Sequence, residues 1–81
     1  MHESGIAERI IEVALERARE AGATRVTDLY LELGPDAGAS ATAVTFHLEE
    51  AAVGTIVEGA RIHFTPTADP RALRLVSIDA E

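Results

Sequence analysis

The feature that most restricts the fold of this chain is a change of hydrophobic period at Gly22. Before it, Ile6, Ala7, Ile10, Ile11, Ala14, Leu15, Ala18 and Ala21 recur at spacings of three and four, while Glu8, Glu12, Glu16, Arg17 and Glu20 fall on the other side. This is the pattern of a helix with one apolar face. It predicts a helix over residues 4–21, with Ser4 as N-cap, acidic Glu3 and Glu8 near the positive end of the dipole, and Gly22 as the left-handed stop. After it, Leu29, Leu31 and Leu33 alternate with Asp28, Tyr30 and Glu32. That is a strand with one buried face, over residues 25–33. A helix followed at once by a half-buried strand must fold back onto it, because neither can hide its apolar face alone.

The remainder continues in the same manner. Gly34-Pro35-Asp36-Ala37-Gly38 is dense in chain breakers and predicts a loop. Ser40 predicts the cap of a second helix running to about Val53, with Val44, Leu48, Ala51 and Ala52 inward and Phe46 and Ala43 alongside. Its β-branched residues weaken helix propensity, so tertiary packing has to hold it. Gly54 ends it, and Glu58-Gly59 turns into a strand over 60–65 with Ile62 and Phe64 on one side and Arg61, His63 and Thr65 on the other. The last strand, 72–80, has large apolar residues on both faces, which calls for a bulge or a central position in the sheet.

The expected fold is therefore α+β, in α-β-α-β-β order, a three-stranded sheet with both helices packed on one face. A helix between the first two strands makes them parallel through a right-handed crossover. A short hairpin loop at 66–71 is expected to make the last strand antiparallel to its predecessor and to set it between the other two.

Composition narrows the function. Of 81 residues, 15 are alanine and only 23 are larger apolar side chains, enough for one thin core and too few for an enclosed reaction pocket. There is no cysteine, so disulfides and thiolate zinc sites are ruled out in this chain. A formal charge of −7 opposes a nucleic-acid groove or an anionic membrane surface. No apolar run reaches membrane-spanning length, and the opening lacks a secretory signal, so the expected compartment is the cytoplasm. No Ser–His–Asp arrangement and no glycine-rich phosphate loop is legible, and catalysis is not expected.

One stretch does carry chemistry. A histidine at position two lets the Met1 amine, the His2 amide nitrogen and the His2 Nδ1 close fused chelate rings on one ion. Deprotonated amide nitrogen favours a planar array, which suits Ni(II) or Cu(II) better than tetrahedral zinc. The initiator methionine is expected to persist, since His2 is bulky. The plain alternative is a solvated chain end. Elsewhere, His47 is expected at a core edge or the surface, His63 to be solvated beside Arg61, and Glu49-Glu50 to form a solvated face.

The sequence resembles the HypA/HybF family of hydrogenase nickel-insertion proteins along nearly its whole length. The resemblance is carried by Met1-His2-Glu3, Ile6-Ala7-Glu8, Arg25-Val26-Thr27 leading to Leu31-Glu32-Leu33-Gly34, Gly54-Thr55 before Glu58-Gly59-Ala60, and the ending Leu73-Arg74-Leu75-Val76-Ser77-Ile78-Asp79. It implies nickel held by His2 with amino-terminal backbone nitrogens, Glu3 assisting, and as partners a HypB-type GTPase and a hydrogenase large subunit. It also implies a zinc module on two Cys-x-x-Cys pairs between the last two strands. Here that stretch is Pro66-Thr67-Ala68-Asp69-Pro70-Arg71, so residues 1–81 are expected to be a single nickel-binding domain without zinc. Pro35-Asp36 also departs from the family, which has glutamate and an apolar residue there. The alternatives are a metal-free interaction module in hydrogenase assembly that kept the scaffold, and a homodimer that exchanges a strand to bolster its thin core.

Overall fold

A computed structural model describes residues 3–81, with side chains from residue 5 onward. Its elements are α1 (Glu3–Glu20), β1 (Val26–Leu33), α2 (Ala41–Ala52), β2 (Arg61–Thr65) and β3 (Leu73–Ala80), in the α-β-α-β-β order that the periodicities require. Glu3 and Ser4 are already helical, so Ser4 lies inside α1 and is not its cap, which would need extended backbone. The other end is as expected. Gly22 has φ +68, its N–H donates to Arg19 O at 3.0 Å, and Ala23 N–H donates to Ala18 O at 2.9 Å. This paired bonding closes the carbonyls of the last turn. Ser40 caps α2, its hydroxyl accepting from Ala43 N–H at 3.1 Å.

Both helices cover one face of the sheet. Ala7, Ile11, Ala14 and Ala18 of α1 and Val44, Leu48 and Ala52 of α2 meet Val26, Leu29 and Leu31 of β1 in one core, where Ala14, Ala18, Val26, Leu31 and Leu48 have no exposed surface. The buried alanines explain how so few large side chains suffice. Four of the buried residues of the two helices are alanines, which let the elements pack closely and leave little volume for larger side chains to fill. Phe46, expected alongside the inward stripe, is 57% exposed on the outer side of α2. Val57 fills its place at the end of the core, buried under the turn that Val26 N–H anchors by donating to Ile56 O at 3.0 Å.

The strand order is β2-β1-β3, with β1 parallel to β2 and antiparallel to β3. The parallel pair agrees with the expected helical crossover. The central place does not go to β3, as the hairpin reading required, but to β1. The reason is burial: Val26, Leu29 and Leu31 of β1 are buried, whereas no residue of β2 or β3 is. Pro66 to Ala72 is consequently no hairpin loop. It crosses the end of β1 from one sheet edge to the other, held by Gly34 N–H donating to Ala72 O at 2.8 Å and Asp36 N–H donating to Pro70 O at 2.6 Å. Gly34 allows this crossing, because a Cβ there would lie inside 3.0 Å of the Pro70 and Asp69 carbonyl oxygens.

The apolar residues on both sides of β3 are reconciled by a bulge. Tyr30 faces Ser77 while Leu31 faces Leu75, so Val76 is the extra residue. Its carbonyl accepts from Arg17 Nη1 of α1 at 2.9 Å. A second irregularity at Thr27 lets Val26 point into the core and Asp28 to the open face.

Candidate metal centre

The expected chelate falls at the edge of what the structure describes. Met1 and His2 lie outside the described residues, and Glu3 is placed only as the first residue of α1. That placement matters chemically. The first four amides of a helix have no acceptor four residues earlier, so the Glu3 amide is not committed to the helical ladder.

Among the remaining ionisable side chains, Asp28 pairs with Arg61 and His63, Glu32 with Arg74, and Arg9 with Glu12. Among the described residues, no three histidine, aspartate or glutamate side chains gather as a metal site would require. His47 sits half-buried at the core edge, in contact with the Phe46 ring (centroids 5.4 Å apart), and its Nδ1, 3.5 Å from Glu50 Oε1, makes no hydrogen bond. Glu49 and Glu50 are exposed on α2, the solvated face expected of them.

His63 is a different matter from the solvated histidine anticipated. It lies outward on β2, but its Nε2 is 2.8 Å from Asp28 Oδ1 and its ring stacks on Tyr30 with centroids 4.7 Å apart. Parallel pairing sets Asp28 beside Arg61 and Tyr30 beside His63, a register invisible from either segment alone. Arg61 Nε donates to Asp28 Oδ1 at 2.9 Å, and Thr27 Oγ1 to Oδ2 at 2.8 Å. The Arg61 guanidinium first, then the His63 and Thr27 donors, hold the Asp28 carboxyl far below the usual carboxylate range. Tyr30 in turn donates to Asp79 Oδ2 at 2.7 Å, and that bond raises its phenol above the ordinary value. With both Asp28 oxygens engaged, the network ties β1 to β2 on the open face of the sheet.

The described residues thus define an α+β domain with two helices on one face of a three-stranded sheet and the other face open. The chain belongs to the family described as hydrogenase/urease nickel incorporation, metallochaperone, hypA, which matches residues 1–70. It is similar to the hydrogenase maturation factor HypA of Aeromonas hydrophila, 44% identical over 64 residues that make up 79% of this chain and 57% of that protein. The HypA of Roseiflexus is 44% identical over 62 residues, 76% of this chain and 50% of the relative. That of Klebsiella pneumoniae is 38% identical over 63 residues, 78% and 55% respectively. The chain thus spans little more than half the length of these relatives. No described helix is long and apolar enough to cross a membrane.

Proposed function

We propose that this chain is a nickel carrier for hydrogenase maturation, acting without catalysis, that holds Ni(II) at Met1, His2 and Glu3 and gives it up by ligand exchange. The observation that carries the reading is that the family match begins at residue 1 and takes in the Met1-His2-Glu3 opening. The chemistry supports it: the Met1 amine, His2 amide and His2 Nδ1 supply a planar set, and Glu3 follows with an amide that α1 does not use. Residues 1–81 then serve as one nickel-binding domain in the cytoplasm, without zinc, since the chain has no cysteine. The recipients are a HypB-type GTPase and, through it or directly, a hydrogenase large subunit.

Transfer follows from the ligands. Imidazole and amine bind metal only when deprotonated, so affinity falls as pH drops below the ordinary histidine value of about 6.5, and acid releases the ion. A carboxylate from Glu3 is the labile ligand that an incoming donor displaces first.

Calorimetry with Ni(II) on the untagged chain tests the proposal. The expected result is one equivalent bound with a planar Ni(II) spectrum, lost both in His2→Ala and when a single residue is added before Met1. Equal nickel uptake by the extended chain overturns the amine-based chelate. If His2→Ala keeps partner binding and hydrogenase activity in cells, the metal-free interaction module is the correct function instead.

A further inference from the structure

β3 pairs with β1 along one edge, and among the described residues no strand pairs with its other edge. Which backbone groups point outward follows from the bonds at its two ends. Glu81 exchanges both bonds with Arg25, at 2.8 and 3.1 Å, so Glu81 faces β1. Ala72 O accepts from Gly34 N–H, so Ala72 faces β1 as well. These two residues are an odd number of positions apart, and a regular strand alternates edges at every residue. The bulge at Val76 absorbs the difference. Counting inward from each end then leaves Leu73, Leu75, Ile78 and Ala80 with their N–H and C=O groups on the outer edge.

That set is symmetric about the midpoint between Val76 and Ser77. A second β3 laid antiparallel about a two-fold axis at that point brings Leu73 opposite Ala80 of the other copy, and Leu75 opposite its Ile78. Each such pair can exchange two backbone bonds. Without the bulge, the same axis would set outward-facing residues against inward-facing ones, and no ladder could form.

The side chains agree with the backbone. The four outward residues carry theirs on the helix-covered face, where Leu73, Leu75 and Ile78 already pack against the core. On the open face the axis sets Arg74 opposite Asp79 of the second copy. Both have capacity left: Arg74 turns Nε and Nη2 to Glu32 Oε1, at 2.7 and 2.5 Å, and keeps Nη1, and Asp79 uses only Oδ2 for Tyr30. Beside the edge, Ile10 and Val13 of α1 with Leu73 and Leu75 form an apolar groove rimmed by Arg9, Arg17 and Arg74.

We propose that β3 is a self-complementary edge whose partner is a second copy of this chain, joined through antiparallel β3 strands into one continuous sheet. The association is weak and reversible. Arg17, which fills the outward carbonyl of Val76, meets its counterpart on the helical side of the axis, and this like-charge contact opposes the apolar and Arg74–Asp79 contacts. The pairing requires no strand exchange and no metal.

Sedimentation equilibrium of the full chain over a concentration series tests this, with circular dichroism melting to confirm folding. The expected result is a reversible monomer–dimer equilibrium, weakened about tenfold by Arg74→Asp or by Asp79→Arg and restored in the double reversal. In this cysteine-free chain, Val76→Cys is expected to form a covalent dimer under mild oxidation, whereas Glu49→Cys, on α2 beside the opposite β2 edge, is not. If a reversal prevents folding, the cysteine pair decides. A monomer at every concentration, a dimer indifferent to the single reversals, or cross-linking at Glu49→Cys and not at Val76→Cys overturns the proposal.

Discussion

Replacing Gly34 by alanine tests the reasoning about the crossing loop most directly. The new methyl would sit inside 3.0 Å of the Pro70 and Asp69 carbonyl oxygens, and because both are backbone atoms, no side-chain rotation relieves the overlap. The loop must lift from the end of β1. Lifting it removes the bonds from Gly34 N–H to Ala72 O and from Asp36 N–H to Pro70 O. At a net worth of about 1 kcal/mol each, these come to about 2 kcal/mol, and uncovering Ala72 adds several tenths. Against this, alanine stiffens the unfolded chain, which returns about 0.4–1 kcal/mol. The expected net loss is about 1.5–2 kcal/mol, a fall in Tm of roughly 6–16 °C for a domain this small. Urea denaturation followed by circular dichroism measures it. Amide exchange should show the Gly34 and Asp36 N–H groups losing protection while Glu81 N–H keeps its own. Gly38→Ala is the control: it has φ +86 but nothing near its Cβ position, so only backbone strain of about 1 kcal/mol is expected there. A Gly34→Ala loss under about 0.5 kcal/mol would show that the loop does not rest on β1 as described.

Four further outcomes follow from the packing and the polar face. Leu48→Ala, at a side chain with no exposed surface, is expected to cost about 2–5 kcal/mol by urea denaturation, enough to unfold much of a chain with so thin a core. Ser40→Ala removes the hydroxyl that accepts from Ala43 N–H and should cost about 1 kcal/mol, whereas Ser40→Asp should keep most of the stability. The Asp28 carboxyl is depressed in the folded state, so the unfolded chain takes up its proton first. Its contribution is complete above about pH 4 and is lost as pH falls further, so Asp28→Asn should flatten the acid limb of a plot of urea midpoint against pH. The Tyr30 phenol is raised, so the sign reverses. Its contribution is whole below about pH 10 and is lost as pH climbs through the raised value, and Tyr30→Phe should remove that alkaline limb.

The local elements were legible because each is written in neighbouring residues. The spacing of Ile6 to Ala21, Gly22 after it, the alternation of Leu29, Leu31 and Leu33, and Ser40 before α2 fix the helices and the first strand to within a residue or two. Leu75 and Val76 followed by Ile78 left two readings open, a bulge or a central strand, and the bulge is the one the structure contains. What could not be read was the pairing between distant segments. Whether β1 or β3 lies in the middle depends on which strand the helices cover and on whether residues 66–72 can pass over Gly34, and neither is a local property. The Asp28–Arg61–His63 cluster was missed for the same reason, since parallel register alone joins residues 33 and 35 positions apart. A signal was present, however: an aspartate at a strand position flanked by core residues needs a cation nearby. The candidate metal residues were nameable from the opening tripeptide, because an amino-terminal chelate is built from consecutive atoms and needs no fold to assemble.

The crossing loop also sets the dimensions of anything spliced in its place. Its two anchors, Thr65 and Leu73, flank Glu32 and Leu33 on opposite sides of one central strand, so they stand about 10 Å apart, twice the spacing between neighbouring strands. A folded insert with touching ends would have to pry the sheet open or drag spare linker, whereas one with ends a double strand width apart would be clasped from both sides and kept from swivelling. Orientation of such an appendage is thereby governed by the sheet itself.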